Sequence, residues 1–287
     1  MKIAAVQMVS TPDVARNLDA AARLLAEAAA AGAGLALLPE YFCLMGRRDS
    51  DKRDIAETPG EGPIQRFLAE QARQHRIWLI GGTLPLRLPR AKAGAAQPGP
   101  AADAAPDPQR VRNACCAYAP DGSLAARYDK LHLFAYDNGR ERYDEGVALQ
   151  AGSEPVALHA GPLRVGLSIC YDLRFPELYR ALSATPGQPP CDLLCVPSAF
   201  THTTGQAHWE LLLRARAVEN QCYVVAAAQG GLHENGRRTW GHSLIVDPWG
   251  RVLAERAEGE GVVLAEIDSA QIATVREHLP ALRHRRL

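Results

Sequence analysis

Several runs in this chain are apolar at nearly every consecutive position, among them residues 35–38 (LALL), 192–196 (DLLCV) and 223–228 (YVVAAA). A strand without polar alternation has no face to give to water, so it belongs in a sheet covered on both sides. Between such runs lie segments of helical period. Residues 17–31 read as an Ala-rich helix, capped at Asn17 and stopped by Gly32. Residues 63–75 (PIQRFLAEQARQH), 176–182, 208–220 (HWELLLRARAVEN) and 269–279 are further helices. Residues 2–8, 77–83, 113–118, 123–128 and 261–267 add strands, and DPWG at 247–250 joins a hairpin of 242–246 with 251–255. The order predicts an α/β fold in one continuous domain over residues 1–287.

One stretch departs from this pattern. From about 88 to 108 the chain turns to Ala, Pro and Gly, which bury too little apolar surface to order themselves. It reads as a disordered loop inserted in a hairpin, with an interdomain linker as the rival reading.

Charge and cysteine content narrow the function. Lys plus Arg equals Asp plus Glu at 32 each, so no global field draws in nucleic acid or an anionic membrane, and a small neutral or acidic partner is expected. Seven cysteines without a CxxC pair suit reduced thiols in a cytoplasm better than a disulfide framework or a metal site. The opening MKIAAVQM never extends into the apolar region of a signal peptide, and Arg23 and Glu27 interrupt the longest Ala/Leu-rich segment, so no membrane span is expected.

Three apolar strands end in a side chain able to do chemistry: LALLP in Glu40, SLAARYD in Lys130 and LRVGLSI in Cys170. Ligands gather beyond the carboxyl ends of strands in α/β sheets, so these three residues suit one pocket. Cys170 is followed at once by Tyr171-Asp172-Leu173-Arg174, which puts the thiol at the strand's exit, on a sharp turn into a helix. A cation beside it, Lys130, lowers a thiol's pKa. Desolvated in a pocket, Glu40 has the chemistry to take a thiol proton and return it to a leaving amine. Lys130 and the Tyr171 amide suit the oxyanion of a tetrahedral intermediate. Taken singly, each has a plainer reading: a core cysteine, a solvated cap, a surface charge.

LPE at Glu40, YDKLHLF around Lys130 and GLSICYDLRFPELYR around Cys170 together resemble the carbon-nitrogen hydrolase (nitrilase) superfamily and its Glu-Lys-Cys triad. PSAFTHTTGQAHWELLLRARAVENQCYVVAAAQ, GHSLIVDPWG and HLPALRHRR further resemble the branch of amidases acting on deaminated glutathione, close to the omega-amidases of 2-oxoglutaramate and 2-oxosuccinamate. The resemblance implies a four-layer α-β-β-α sandwich, a homodimer built by helix packing, and a second active-site glutamate after the lysine, which Glu145 matches, with Glu141 as the alternative. It also implies that Arg174 holds a substrate carboxylate, for which a guanidinium is chemically suited. A salt bridge to Glu177 or Asp172 is the structural alternative. Thr204, with Thr203, offers hydroxyls to the same group, although Thr-Thr-Gly also reads as a turn; His208 and Trp209 read as packing or capping at a helix start, and the terminal RHRR as a subunit contact or solvated tail. Ala135 departs from the family, whose members often carry an acidic residue there.

The expectation is therefore an enzyme releasing ammonia from a small primary amide through a Cys170 thioester, with deaminated glutathione as first substrate and neither metal nor organic cofactor. An omega-amide or N-carbamoyl compound is the alternative substrate, and a non-enzymatic thiol sensor the alternative of another class.

Overall fold

The computed structural model describes residues 1–48, 50–88, 109–139, 142–184 and 187–286. Two sheets carry the architecture. The first runs, edge to edge, Gly261–Glu266, Lys2–Gln7, Leu35–Leu37, Trp78–Ile80, Val111–Tyr118 and Leu84–Arg87, with Leu124–Asp129 also paired to Val111–Tyr118. The second runs Val252–Arg256, Ser243–Val246, Tyr223–Ala228, Leu193–Ser198, Leu163–Leu167 and Val156–Ala160. Strands Lys2–Gln7, Leu35–Leu37 and Trp78–Ile80 are parallel, as are Leu163–Leu167, Leu193–Ser198 and Tyr223–Ala228. These are the strands in which the sequence lacks polar alternation.

Side-chain direction explains that lack, because successive residues of a strand point to opposite faces. Ile3, Ala5, Leu35 and Leu37 turn toward the second sheet and join Val165, Leu167, Val196 and Val225 in one core. Their neighbours Ala4, Val6, Ala36 and Leu38 turn outward and meet Leu24 and Leu25 of helix Val14–Ala30 and Leu68 of helix Pro63–His75. Helices Pro176–Ser183 and His202–Asn220 cover the other side through Leu178, Tyr179, Trp209 and Leu213. The result is the expected α-β-β-α sandwich. The adjacent Cys115 and Cys116 obey the same alternation, one in each core, and all seven cysteines are free and buried.

Two helix starts differ from expectation. The first helix is capped by Asp13, whose carboxylate accepts from the Arg16 amide, while Asn17 is spent on tertiary contacts to Thr11 and Cys43. The helix expected at 208 begins at His202, so Thr203-Thr204-Gly205 is its first turn and no free turn. The strands flanking the Ala/Pro-rich stretch, Leu84–Arg87 and Val111–Tyr118, pair as an antiparallel hairpin. The expected disorder of that stretch falls on residues 89–108, outside the described residues.

Candidate active site

Glu40, Lys130, Glu145 and Cys170 come together where the two sheets meet. Glu40 follows strand Leu35–Leu37 on a turn whose next residue, Tyr41, has φ 58°. That turn is fixed from below: the Tyr41 amide donates to Thr83 Oγ1 at 2.9 Å. Gly82 there has φ 56° and leaves no room for a side chain, since a Cβ would sit 2.2 Å from the Pro39 carbonyl oxygen. Lys130 follows strand Leu124–Asp129, its amide donating to the Asn113 carbonyl at 3.0 Å. Cys170 opens a 3-10 turn, Cys170–Arg174, three residues past the end of strand Leu163–Leu167, and has φ 49°. A non-glycine residue in the left-handed region stores strain of order 1–3 kcal/mol, so the surroundings must hold this turn.

Asp172 supplies that hold. Fully buried, its Oδ2 accepts from the Ile169 amide at 2.8 Å and the Tyr128 hydroxyl at 2.7 Å. Its Oδ1 accepts from the His132 amide at 3.1 Å and from Nδ1 of the same ring at 2.7 Å. A carboxylate only accepts, so Nδ1 carries the proton. The His132 ring also stacks on Phe175 with centroids 3.7 Å apart. Asp172 thus ties the segment carrying Lys130 to the turn carrying Cys170, which spends both of its oxygens and leaves Arg174 without it as a partner.

Lys130 is 1% exposed, and its Nζ donates to Glu40 Oε1 at 2.9 Å and to both oxygens of Glu145 at 3.0 and 2.8 Å. Glu40 is equally buried and also accepts from Asn113 Nδ2 at 2.9 Å and, through Oε2, from the Ala199 amide at 3.0 Å. Glu145 further accepts from the Tyr41 hydroxyl at 2.6 Å and the Phe134 amide at 2.8 Å. Burial works against the lysine's charge, but the charges of Glu145 and Glu40 outweigh it and hold the Lys130 pKa well above its ordinary value. Burial likewise opposes ionisation of Glu145, yet Lys130, Lys52 and the hydrogen bonds from Lys130 and Phe134 keep its carboxyl below the usual range.

The thiol behaves differently from the expectation that Lys130 would lower its pKa. Burial, and then the Glu40 carboxylate, push Cys170 well above the ordinary cysteine value, and the opposing pull of Lys130 does not compensate. Lys130 is already balanced by two carboxylates. Burial and the neighbouring carboxylate thus favour the thiol form of Cys170 over the thiolate.

Cys170 faces a pocket of about 230 Å³, lined also by Phe134, Tyr171, Arg174, Phe200 and Thr204. Tyr171, Arg174 and Thr204, each expected near substrate, therefore border it, and Thr203 does not line it. Thr204 exchanges a hydrogen bond with the Thr201 hydroxyl at 2.9 Å. Arg174 makes neither expected salt bridge; its guanidinium lies 5.3 Å from the Phe200 ring centre and 5.8 Å from that of Tyr171, and one Nη meets His208 Nδ1 at 3.2 Å. Glu141, the alternative to Glu145, lies outside the described residues. Sequence reasoning missed Tyr41, Asn113 and the Ala199 amide. Asn113 left a signal, being the one polar side chain in NACCA between an arginine and a buried run.

A carboxylate, an ammonium and a thiol sharing one buried network can relay a proton and hold an oxyanion without a metal ligand set, and no group of three or more His, Cys, Asp or Glu suited to a metal is found among the described residues. Residues 2–277 match the sequence profile of carbon-nitrogen hydrolases. The chain belongs to the carbon-nitrogen hydrolase family. A Synechocystis sp. relative named deaminated glutathione amidase is 38% identical over 98% of this chain and 97% of its own. The crystal structure of yeast Nit3, titled a member of branch 10 of the nitrilase superfamily, superposes with a TM-score of 0.83 at 31% identity, covering 100% of this chain and 97% of that one. The Caenorhabditis elegans NitFhit structure matches with a TM-score of 0.83 at 39% identity, and this carbon-nitrogen hydrolase covers 99% of itself but only 65% of that chain.

Proposed function

We propose that the chain is a cysteine amidase in which Cys170 is the nucleophile, Glu40 the proton carrier and Lys130 the oxyanion partner. As the sulfur bonds to the amide carbon, the thiol proton passes to Glu40 and the carbonyl electrons move onto oxygen, beside Lys130 Nζ and the Tyr171 amide. When the carbon-nitrogen bond breaks, Glu40 returns the proton to the leaving nitrogen and a thioester remains on Cys170. Water, deprotonated by Glu40 and positioned with the help of Glu145, then attacks the thioester, and the acid leaves as the thiol reforms. The observation that carries this reading is the shared carboxylate: Glu40 holds Lys130 at 2.9 Å and also acts on the Cys170 thiol. A thiol sensor needs a stabilised thiolate, the opposite of what burial and Glu40 do here.

The substrate class follows the relatives' names: deaminated glutathione, its acid end on Arg174 with the Thr204 hydroxyl nearby. The amides of that compound are secondary, so an amine leaves from it, whereas a primary amide yields ammonia; either nitrogen leaves only when protonated. The small pocket favours omega-amides of 2-oxo acids as a second reading. The thiols, all free and buried, support a reducing cytoplasm as the place of work. Exposed Leu211 and Val218, seven residues apart on helix His202–Asn220, with exposed Trp249 close by, support a homodimer packed through that face.

The Cys170→Ala chain should fold as the parent does and release neither ammonia nor amine from either substrate. Mass spectrometry of the parent, quenched during turnover, should find an acyl group on Cys170. Substantial turnover by Cys170→Ala would sink the assignment. Comparing kcat/KM for deaminated glutathione and 2-oxoglutaramate decides between the two substrates.

A further inference from the structure

We propose that His208 is a positioning residue for substrate, holding the Arg174 guanidinium where it receives the substrate carboxylate. The inference rests on the reading of Arg174 as the carboxylate anchor and extends it to a residue whose place in the sequence suggested only packing or capping. His208 lies on helix His202–Asn220 one turn beyond Thr204, which puts both on the same side of the helix. Thr204 lines the pocket and Arg174 faces it from the turn that begins at Cys170. His208 Nδ1 stands 3.2 Å from Arg174 Nη1. A guanidinium has donors and no acceptor, so Nδ1 is the acceptor and carries no proton.

That single contact decides the guanidinium's orientation. Arg174 makes no ion pair with any carboxylate among the described residues, and its other neighbours are the Phe200 and Tyr171 rings, which accept the charge but do not fix the direction of its N–H groups. An arginine side chain loses rotamer freedom when ordered. With one N–H given to His208, that cost is met before substrate arrives. The opposite edge of the fork stays available for a bidentate carboxylate.

The test compares one replacement that removes the acceptor with one that supplies another in its place. His208→Phe keeps a ring of similar size and removes the acceptor; His208→Asn restores an oxygen at the same bond distance from the backbone as Nδ1. On 2-oxoglutaramate, or on deaminated glutathione if that is the better substrate, His208→Phe should raise KM about fivefold to tenfold with kcat changed less than twofold, and His208→Asn should bring KM back to within about twofold of the parent. On butyramide, which lacks a carboxylate, neither change should move KM. An unchanged KM in His208→Phe, an equal rise on butyramide, or no rescue by His208→Asn overturns the inference. Arg174→Gln is the control for the reading beneath it: if that chain keeps the parent's KM for the carboxylated substrate, the anchor itself is wrong. If Arg174→Gln raises KM and His208→Phe does not, the anchor stands and the role of His208 falls.

Discussion

At the scale of single residues, the proposed reactive centre depends on where one negative charge sits. Glu40 is within reach of both Lys130 and Cys170, and its charge helps hold the thiol protonated. Two effects therefore separate when that charge is removed. Glu40→Gln keeps the size and a hydrogen-bonding oxygen but cannot carry a proton, so amide turnover should fall by at least about 10²-fold. The same change removes a contribution that raises the Cys170 pKa and leaves the lowering one from Lys130, so the thiolate fraction at neutral pH rises. Iodoacetamide, which needs only the thiolate, should then alkylate Cys170 faster in Glu40→Gln than in the parent. Slower alkylation would mean that Glu40 activates the thiol toward any electrophile and that its charge is not what keeps the proton on sulfur. The pairing of lost turnover with gained alkylation is what a general base predicts and a merely structural glutamate does not.

At the scale of elements, the proposed catalytic groups are aimed by turns whose geometry only certain residues accept. Gly82 is the sharpest case, with φ 56° and no room beside the Pro39 carbonyl, one residue from Glu40. Gly60 has φ 86° but open space around it. Gly60→Ala should therefore cost only the left-handed preference, about 1 kcal/mol, whereas Gly82→Ala must also push back the backbone that carries Glu40, at a cost of about 2 kcal/mol or more. Urea unfolding compares the stabilities, and kcat should fall only in Gly82→Ala; equal effects at both sites would remove the link between this turn and catalysis. The same elements explain what was legible in the sequence. Glu40 and Cys170 were found because each follows an apolar run and Lys130 because it follows a hairpin strand, and a strand's end can be read locally. The Ala199 amide reaches Glu40 across the two sheets, and Asn113 and Tyr41 reach Glu40 and Glu145 from far away in the chain, contacts that no local pattern records. The start of helix His202–Asn220 was hidden for a specific reason. Gly205 has the composition of a turn, yet a Cβ there would meet the Trp240 side chain at 2.3 Å, so close packing and not helix propensity chose the residue. Asn17 misled in the opposite way, a cap-type residue whose side chain was taken by Thr11 and Cys43.

At the scale of the whole molecule, Glu40 and Lys130 belong to one sheet's strand ends and Cys170 and Ala199 to the other's, so the site exists only while the sheets stay docked. Buried amides help to hold that docking: Gln229 Nε2 donates to the Glu40 carbonyl at 3.1 Å and to Ser10 Oγ at 2.8 Å. If the Leu211 and Val218 face packs a second copy, placing Glu at both positions should convert a dimer to a monomer in light scattering; a parent that is already monomeric would end the dimer proposal. Acid should weaken the docked state at two places. His233 is buried between the sheets' connecting segments, its Nδ1 donating to the Ser10 carbonyl at 2.9 Å and its Nε2 paired with the Thr239 hydroxyl at 2.8 Å, which can donate to the neutral ring. Burial, with Arg237 adding and the Ser10 carbonyl opposing, holds its pKa below the ordinary 6.5. Below pH 6.5 the unfolded chain thus binds a proton that the folded chain does not, and stability falls as pH drops toward the folded value. Glu145, lowered from 4.5, acts in a separate window: its contribution is complete above 4.5 and is lost as pH falls through its folded value. Urea midpoints, measured at one protein concentration because association adds stability, should drop between about pH 7.5 and about pH 5 and again below about 4.5. His233→Gln offers an amide donor and acceptor without a titrating ring, and should flatten the first drop while leaving the second. If His233→Gln loses as much stability as the parent between about pH 7.5 and about pH 5, the imidazole is not the group that titrates.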